Sequence, residues 1–582
     1  MNSASATSAA APRPVTLSGA LGYRRRAIAS GLLTLLLGAM VLTPIGALIA
    51  QSLLAKDGSW TAAAWSAVYT DPTNRAALAN TLTIIGLVEL IAVTLGTALA
   101  WFLTSCDLPG RKWLLLVPLG PLLFPPLLSA LGWIFLMSPG VGFLNVALRA
   151  LFDLPGDTGP MSIYSMAGIA WVMGIYAVPF VYAVVAPAME NLDTRLDEAA
   201  AMSGANRFTT VRTVTLKLLL PAIVGGALFA FIVSASEFTI PLLIGTRAHI
   251  DLVSTRLYEL VTSFPVQFAQ GAALAMGLMV AVAAITVLQR WVTTRRSVAT
   301  LGAKGARRVL VDLGAWRWPA AALIVFYLLV TVVLPLGAIV VVSLLPYWQA
   351  GQFDWTLDNY AMALFRQPGA LTALSNSVLL AAGSATCAVL LAIYISHVTL
   401  RDRGRINNVL DTFAALPMGV PSIVFGTGML IAFLHSPVVL YGTLASLLIA
   451  YVAHTLPITL RPVTASYVQL DTALVEAAGM CGASGGHAVA DIVVPLLRGA
   501  ILSAWGLTFI LLLREMPLSI MLTTPGNNVI STFLFNLYDG ETFPSVAALA
   551  VIMFATGAVV FAVVAGIAWR WRRRANLQGS SA

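Results

Sequence analysis

Residues 192–205, LDTRLDEAAAMSGA, recur as residues 470–483, LDTALVEAAGMCGA. The two stretches stay in register over their whole length, at an offset of 278 (476 minus 198). Chance does not give so many identities in register, so the chain contains an internal repeat. The same offset pairs Glu237 with Glu515, which extends the repeat beyond the quoted stretch.

The repeat also extends towards the N-terminus, with a different offset. Pro126 pairs with Pro421 at an offset of 295 (421 minus 126). The first copy therefore carries about 17 extra residues (295 minus 278) between Pro126 and the quoted stretch. We place them in the loop from Pro139 to Pro160.

Composition places this repeat in a membrane. The chain has 582 residues, of which 59% are hydrophobic and 10% charged. An ordinary soluble domain has roughly 25% charged residues. Uncharged apolar stretches of about 20 residues indicate bilayer-spanning helices. The sequence predicts twelve of them: Ile28–Leu54, Thr81–Leu103, Trp113–Leu136, Ile163–Ala186, Leu218–Ile244, Gly271–Val292, Trp318–Leu345, Val378–Val398, Val409–Leu434, Tyr441–Thr464, Ile501–Leu522 and Val546–Trp569.

Each copy of the repeat thus holds about six spans. Because six is even, both copies enter the membrane in the same orientation, and an axis along the membrane normal relates them. The predicted fold is an all-α integral membrane protein with about twelve transmembrane helices in two parallel six-helix repeats.

The basic residues predict the orientation. Lys and Arg cluster in alternate loops and at both termini, which is the pattern of cytoplasmic segments. They do not form a patch with interleaved aromatics, so nucleic acid is not an expected partner. We expect both termini in the cytoplasm. The expected division is a cytoplasmic tail (1–27), a first half (28–292) with the segment 190–217, a cytoplasmic linker (293–317), a second half (318–569) with the segment 468–495, and a basic cytoplasmic tail (570–582).

The quoted stretch lies between the fourth and fifth spans of each half, on the expected cytoplasmic side. In the first copy Leu192, Leu196 and Ala199 fall on one face of a helix, and Glu198 lies off it. Gly204 and Gly482 can end these helices and turn the chain. An interfacial helix with a glycine cap explains one copy, but two copies facing the same way favour docking to a partner.

This motif resembles the EAA motif of ABC importer permeases, which continues with Gly and then an apolar residue and Pro. The second copy matches throughout, and the first has Lys217 where Pro is expected, which puts its local geometry in doubt. The resemblance implies a multi-pass protein of the bacterial inner membrane whose two motif copies couple to ATPase subunits. The implied coupling residues are Glu198, Ala199, Ala200 and Gly204 in the first copy, and Glu476, Ala477, Ala478, Gly482 and Pro495 in the second.

The partners follow from the same resemblance. It implies two copies of a cytoplasmic ATP-binding subunit, a periplasmic substrate-binding protein and the lipid bilayer. The sequence has no GxxxxGK[ST] loop, so ATP is expected on the partner and no cofactor on this chain. The five histidines have no metal-ligand spacing, and no catalytic constellation occurs. We expect neither a metal site nor an enzyme.

Three charged residues, Glu237, Glu515 and the adjacent Arg514, are candidates for the translocation path. Ionisable residues within spans are costly and often functional, and Glu237 and Glu515 fall at equivalent positions towards the outer half of the membrane. Alternatively, Glu515 pairs with Arg514, and Glu237 caps the backbone near Pro241. Glu89 suits hydrogen bonding between helices better than the path.

Arg514-Glu515-Met516-Pro517 and Ser236-Glu237-Phe238 resemble the fused permeases for ferric iron, which makes ferric iron the expected substrate. Permeases for thiamine, polyamines and phosphonate are alternatives of the same class. A secondary transporter is the alternative from another class, since it too can show two six-span halves. The secondary-transporter interpretation, however, assigns no role to the duplicated motif.

Overall fold

The computed structural model describes most of the chain. The described residues are 17–55, 57–192, 202–204, 206–295, 310–349, 354–401, 404–481, 483, 485–540 and 543–579. Within these ranges the chain is helical, and two isolated backbone bridges are the only strand-like pairings. The predicted all-α fold is confirmed.

Ten of the described helices are long and apolar enough to cross a membrane, and two bent helix pairs raise the number to twelve. This agrees with the predicted number. We number one principal helix per span. In the first half these are α1 (Leu17–Leu53), α2 (Pro72–Ser105), α3 (Pro126–Met137), α4 (Met166–Glu190), α5 (Leu216–Ala235) and α6 (Phe268–Arg295). In the second half they are α7 (Gly314–Ser343), α8 (Ala370–Arg401), α9 (Ser422–Leu434), α10 (Leu444–Val468), α11 (Val494–Leu513) and α12 (Phe543–Gly579).

Shorter helices connect the spans. Ala63–Thr70 precedes α2, and Phe143–Phe152 lies between α3 and α4. The latter falls within the loop where we placed the extra residues of the first half. Between α5 and α6 lies Val253–Thr262, and between α11 and α12 lie Pro517–Leu522 and Ile530–Asp539.

The third span of each half is broken, which the sequence did not predict. Arg111–Leu122 meets α3 at 90°, and Arg405–Gly419 meets α9 at 112°. The prolines at the two breaks lack an N–H and disfavour a helical residue before them. The two parts of the first broken span together still extend alongside α4. Near one end of α4, Tyr182 donates to the Leu115 carbonyl (3.1 Å). Near the other end, the Ile163 N–H donates to the Met137 carbonyl (3.2 Å).

The two halves exchange their first helices. The helix α1 packs against α9 of the second half, and α7 packs against α3 of the first half. Glycine permits both contacts, because a Cβ on Gly428 would lie 2.6 Å from the Pro44 carbonyl oxygen, and one on Gly132 would lie 2.6 Å from Pro335. We call these contacts the α1–α9 seam and the α7–α3 seam. One apolar core includes buried residues of both halves.

Backbone hydrogen bonds attach the start of the second half to the first. The Val311 N–H donates to the Ser105 carbonyl (2.8 Å), and the Asp107 N–H donates to the Val311 carbonyl (3.0 Å). The residues just before α7 are therefore held against the loop that follows α2.

Candidate translocation site and coupling segments

The spans that carry the two candidate glutamates end earlier than predicted. The sequence predicted helices to Ile244 and Leu522, but α5 ends at Ala235 and α11 ends at Leu513. The chain then turns and starts a new short helix in each half. Glu237 and Glu515 thus lie at the turns, just beyond the two spans.

Glu237 caps the helix that follows its turn. Its Oε1 accepts hydrogen bonds from the backbone N–H groups of Thr239 (2.9 Å) and Ile240 (3.3 Å). A side-chain oxygen at this position satisfies N–H groups that have no partner within their own helix. The alternative interpretation, a cap near Pro241, is therefore the arrangement in the structure.

Glu515 has the same role in the second half. Its Oε1 accepts from the Leu518 N–H (3.1 Å) at the start of Pro517–Leu522. The backbone around both turns is held alike, because Ser254 donates to the Glu237 carbonyl (2.9 Å) and Ser531 donates to the Glu515 carbonyl (2.7 Å). The two turns thus share a capping glutamate and a serine bound to its carbonyl, although Glu237 accepts two backbone N–H groups and Glu515 accepts one.

The pairing of Arg514 with Glu515, one of the two interpretations left open by the sequence, is not among the described ion pairs. One guanidinium nitrogen donates instead to the carbonyl of Leu122 (2.7 Å), at the break of the third span in the other half. Its charge also interacts with Glu237, Glu515 and the buried Tyr176 of α4. These four side chains form a polar cluster at the contact between the halves, which we call the central cluster.

The central cluster is asymmetric. At the offset of 278, Arg514 corresponds to Ser236, and Tyr176 corresponds to His454. His454 interacts through Nε2 with the Ser422 hydroxyl (2.9 Å), and its buried Nδ1 has no partner among the described residues. The sequence analysis missed Tyr176 and His454, although aligning the halves at this offset would have shown the exchange.

Nothing described in this region is arranged to coordinate a metal. No group of three or more His, Cys, Asp or Glu side chains among the described residues could hold a metal ion. The carboxylates of Glu237 and Glu515 are instead held by backbone N–H groups. With Arg514 they can attract a charged solute without surrounding it by ligands.

The second copy of the quoted motif forms the helix Thr472–Met480 between α10 and α11. The side chain of Asp471 begins it by accepting from the Ala473 N–H (2.9 Å). Ala478 packs on a small cluster that includes Tyr467 and Leu497, whereas Ala477 faces solvent. The helix is therefore attached by one face and presents another.

An exposed methionine marks both copies of the motif. Met202 and Met480 differ in number by the same 278, and each side chain is 87% exposed. Exposed methionine is unfavourable in water but suits a partner groove, because its flexible side chain adapts to irregular surfaces. The sequence analysis did not single out this pair.

The other residues predicted to couple to a partner are only partly described. Gly204 has a φ of +81°, a left-handed conformation that favours glycine, as expected for a residue that ends a helix. Pro495 lies in the first turn of α11. Glu198, Ala199, Ala200 and Gly482 lie outside the described residues, and of Glu476 only its place in the helix Thr472–Met480 is described.

Lys217 leaves the local backbone unchanged. A π-helical turn precedes α5 at Val211–Thr215 and α11 at Val489–Val493, again 278 residues apart. Lys217 and Pro495 occupy the same place in the first turn of the helix that follows. Since the first helical turn tolerates proline without requiring it, the departure from the motif does not alter this segment.

Comparison with known proteins agrees with the repeat. The chain is 26% identical over 492 residues to a ferric transport system permease protein from Actinobacillus pleuropneumoniae, covering 83% of this chain and 70% of that one. It is 29% identical to a probable ABC transporter permease protein from Sinorhizobium fredii, covering 78% of this chain and 80% of that one. It is 30% identical to a molybdenum transport system permease protein from Escherichia coli, covering 33% of this chain and 82% of that one.

The family match occurs twice, once in each half. Residues 114–298 and 385–573 each match the family described as the binding-protein-dependent transport system inner membrane component, and together they make up more than half of the chain. Both matches contain a copy of the quoted motif. The chain is therefore a multi-pass inner-membrane permease of the binding-protein-dependent ABC transport family, with two family domains fused in one polypeptide.

Proposed function

We propose that this chain forms the translocation path of an ATP-driven importer and works by alternating access. The observation that carries the proposal is the pair of exposed methionines, Met202 and Met480, in segments between the fourth and fifth spans of both halves. A duplicated apolar protrusion suits two copies of one partner, one docked to each half. A secondary transporter would not require this duplicated protrusion.

The partner that fits is a cytoplasmic ATPase subunit in two copies, since the chain has no phosphate-binding loop of its own. ATP binding would close the two subunits, which would move the segments around Glu198–Gly204 and Glu476–Gly482 and rock the halves. This mechanism requires that end of the bundle, and with it both termini, to be cytoplasmic. The clusters of Lys and Arg support this orientation.

The path itself would pass the central cluster. Glu237 and Glu515 lie at the turns where both halves meet, and Arg514 bridges from one half to the other. If all three are ionised, the cluster has one excess negative charge, which favours a cation or a cationic complex. Movement of the halves would break the bond from Arg514 to the Leu122 carbonyl and so open the path.

Ferric iron delivered by a periplasmic binding protein is the substrate we favour. A long relative named for ferric transport supports it, whereas the relative named for molybdenum covers only a third of the chain. Permeases for thiamine, polyamines or phosphonate remain alternatives of the same class. Because the described residues hold no ligand set for a metal, selectivity would belong mainly to the binding protein.

The test is copurification of the separately encoded ATPase with this chain, followed by the double variant Glu198→Arg with Glu476→Arg. We expect the complex to form with the natural chain and to be lost in the double variant, together with ATP-dependent ⁵⁵Fe uptake. A control reversal, Asp57→Arg, lies in an exposed loop at the other end of the bundle and should retain both.

Each outcome is decisive. If the double variant retained both the complex and the uptake, the coupling assignment would be wrong. Uptake that needs no ATPase and follows an ion gradient would make the secondary transporter the better interpretation. A complex that forms normally but transports only another substrate would leave the importer assignment intact and remove ferric iron.

A further inference from the structure

Two hydrogen bonds join α8 to α10 at the end of the second half that carries the motif. The hydroxyl oxygens of Ser396 and Thr464 are 2.7 Å apart, and the Tyr467 hydroxyl lies 2.7 Å from Nδ1 of His397. Ser396, His397 and Tyr467 are all buried. Because hydrogen bonds are directional, these two bonds fix how the helices lie against each other. We call them the α8–α10 latch.

The first half has no equivalent of this latch. The helices α4 and α10 correspond at an offset of 278 at both ends (444 minus 166, and 468 minus 190). The helices α2 and α8 correspond at 296 (376 minus 80), because Asn80 and Asn376 each donate to a backbone carbonyl between the fifth and sixth spans of their half. At these offsets the four latch residues correspond to Ala100, Trp101, Ala186 and Met189.

The contact between α2 and α4 at these positions is apolar. Ala100, Ala186 and Met189 belong to the buried core, and Trp101 packs against it. An alanine side chain has no polar atom and a methionine side chain has no donor. Since apolar contact has no preferred direction, α2 and α4 are held together here without being fixed in register.

Tyr467 also holds the second copy of the motif. Ala478, in the helix Thr472–Met480, packs on a buried cluster that contains Tyr467 and Leu497. The Leu470 N–H donates to the Tyr467 carbonyl (3.1 Å) just before this helix begins. Tyr467 thus contacts α8 through its hydroxyl and belongs to the cluster that supports the motif helix.

The helix α8 continues the connection into the first half. Three residues before His397, the Tyr394 hydroxyl lies 3.3 Å from the hydroxyl of Ser30 in α1. The residue at the position equivalent to Tyr394 is Ala98, which has no polar side-chain atom. A hydrogen-bonded route from the second motif helix through α8 to α1 therefore has no counterpart that starts from the first copy of the motif.

We propose that the α8–α10 latch positions the second motif helix, so that a displacement of this helix moves α8 and α1 with it. His397 and Tyr467 are then positioning residues, which act through the motif helix and touch neither ATP nor substrate. This inference rests on the proposed coupling to an ATPase. The two copies of the motif present equal docking surfaces and transmit movement unequally, because only the second is fixed to its neighbouring span by hydrogen bonds.

The experiment measures ATP hydrolysis and ⁵⁵Fe uptake together, using the complex of the full chain with its ATPase in proteoliposomes. Tyr467→Phe keeps the ring and removes the bond to His397. We expect hydrolysis to continue and uptake per ATP hydrolysed to fall about threefold, the factor by which one hydrogen bond between membrane helices shifts an equilibrium. A purely structural role would lower the amount of complex and leave this ratio unchanged.

Matched variants show whether the bond itself is responsible. His397→Leu should lower the ratio as Tyr467→Phe does. His397→Asn should restore most of it, because the amide places a hydrogen-bonding atom where Nδ1 lies. Met189→Leu and Trp101→Phe change the equivalent apolar positions of the first half and should leave the ratio within about 1.5-fold of the natural value.

Hydrogen exchange of the chain alone in nanodiscs tests the latch without ATPase or iron. In Tyr467→Phe we expect the amides of 472–480 to exchange about threefold faster, because the motif helix is held less firmly. The amides of 194–202, in the first copy, should exchange at the natural rate in the same variant. Met189→Leu should leave both segments unchanged.

The outcomes separate this inference from the proposed function. If the natural chain forms no ATPase complex or shows no ATP-dependent uptake, the proposed function is wrong and the role of the latch in coupling is wrong as well. If both are present, a natural ratio of uptake to hydrolysis in Tyr467→Phe overturns this inference alone. Natural exchange at 472–480 in Tyr467→Phe also overturns it, whether or not an ATPase binds.

Discussion

The two halves share a backbone plan and differ where they meet. Their turns are capped alike by Glu237 and Glu515, and their seams use the same close approach of a glycine to a proline. At the centre, however, Arg514 faces the first half, while Ser236 at the equivalent position donates only to its own helix, at the Ile232 carbonyl (2.8 Å). Duplication thus preserved the framework, and the side chains at the contact diverged.

Positions that differ between the two halves indicate where a function that occurs once in the molecule, and not once in each half, is located. Docking to two identical subunits needs the same surface twice, and the exposed methionines are the same in both halves. A single path through the centre needs no such symmetry, and there Tyr176 is exchanged for His454. A difference between equivalent positions is therefore as informative as the repeat itself.

The largest effect is expected at the seams. In Gly132→Leu and Gly428→Leu the new side chain would meet Pro335 or Pro44, and overpacking of this kind destabilises by about 1–3 kcal/mol or more. We expect both variants to lower the yield of folded protein and the thermal unfolding temperature in detergent, and to abolish uptake. Gly86→Leu is the control, because a Cβ there meets nothing within 4 Å. A defect in only one seam variant would show that the seams are not equivalent.

The next effect is expected at the asymmetric arginine. Arg514→Ala removes a charge-assisted hydrogen bond between the halves, which contributes roughly 1.5–3 kcal/mol. We therefore expect the rate of uptake to fall by about 10- to 100-fold. Arg514→Lys should retain part of the activity, and Ser236→Ala should stay within about twofold because its bond is local. Initial uptake rates in proteoliposomes give the measurement. Equal effects at Arg514 and Ser236 would remove the central asymmetry from the mechanism.

Smaller effects are expected for variants that distinguish the capping role of Glu237 and Glu515 from the role of their negative charge. Glu237→Gln and Glu515→Gln keep an oxygen that can accept the backbone N–H groups but lose the negative charge. We expect unchanged thermal stability and a several-fold fall in cation uptake for each. The alanine variants should also lose about 0.5–2 kcal/mol of stability, the contribution of a helix cap. Full uptake by both glutamine variants would reduce the two glutamates to caps.

The smallest effect is expected for Lys217→Pro, which gives the first half the residue that Pro495 supplies in the second. Because both sites follow the same π-helical turn, we expect a change within about 0.5 kcal/mol and normal uptake. Ala227→Pro, in the interior of α5, should instead cost about 3 kcal/mol. A large defect in Lys217→Pro would mean that the two coupling segments are built differently.

Much of the fold could be predicted because each transmembrane helix is encoded by a long apolar stretch of sequence. A span of about 20 apolar residues is visible without any tertiary information, and the number of spans was confirmed. The breaks before α3 and α9 and the turns after Ala235 and Leu513 were missed. Both sides of each break and each turn are apolar, so a long hydropathy window runs across them. The local signals were the prolines at the breaks and the charged residues at the turns.

The candidate site was predicted in part. Glu237, Glu515 and Arg514 were found because charge is rare in an apolar segment, but the sequence offered only Glu515 as a partner for Arg514 and not the Leu122 carbonyl. The Leu122 carbonyl is 392 residues away in the chain, and no local pattern indicates such a contact. Tyr176 carries no charge and lies in a long apolar helix, so composition alone did not distinguish it.

The sequence by itself determined the membrane location, the number of spans and the duplication, because these follow from composition and from identities in register. The tertiary structure decided the exchange of α1 and α7 and the central cluster. The physical reason is that an apolar helix has no preference in sequence for one apolar neighbour over another. That choice depends on how glycines, prolines and aromatic rings from distant segments fit together in space.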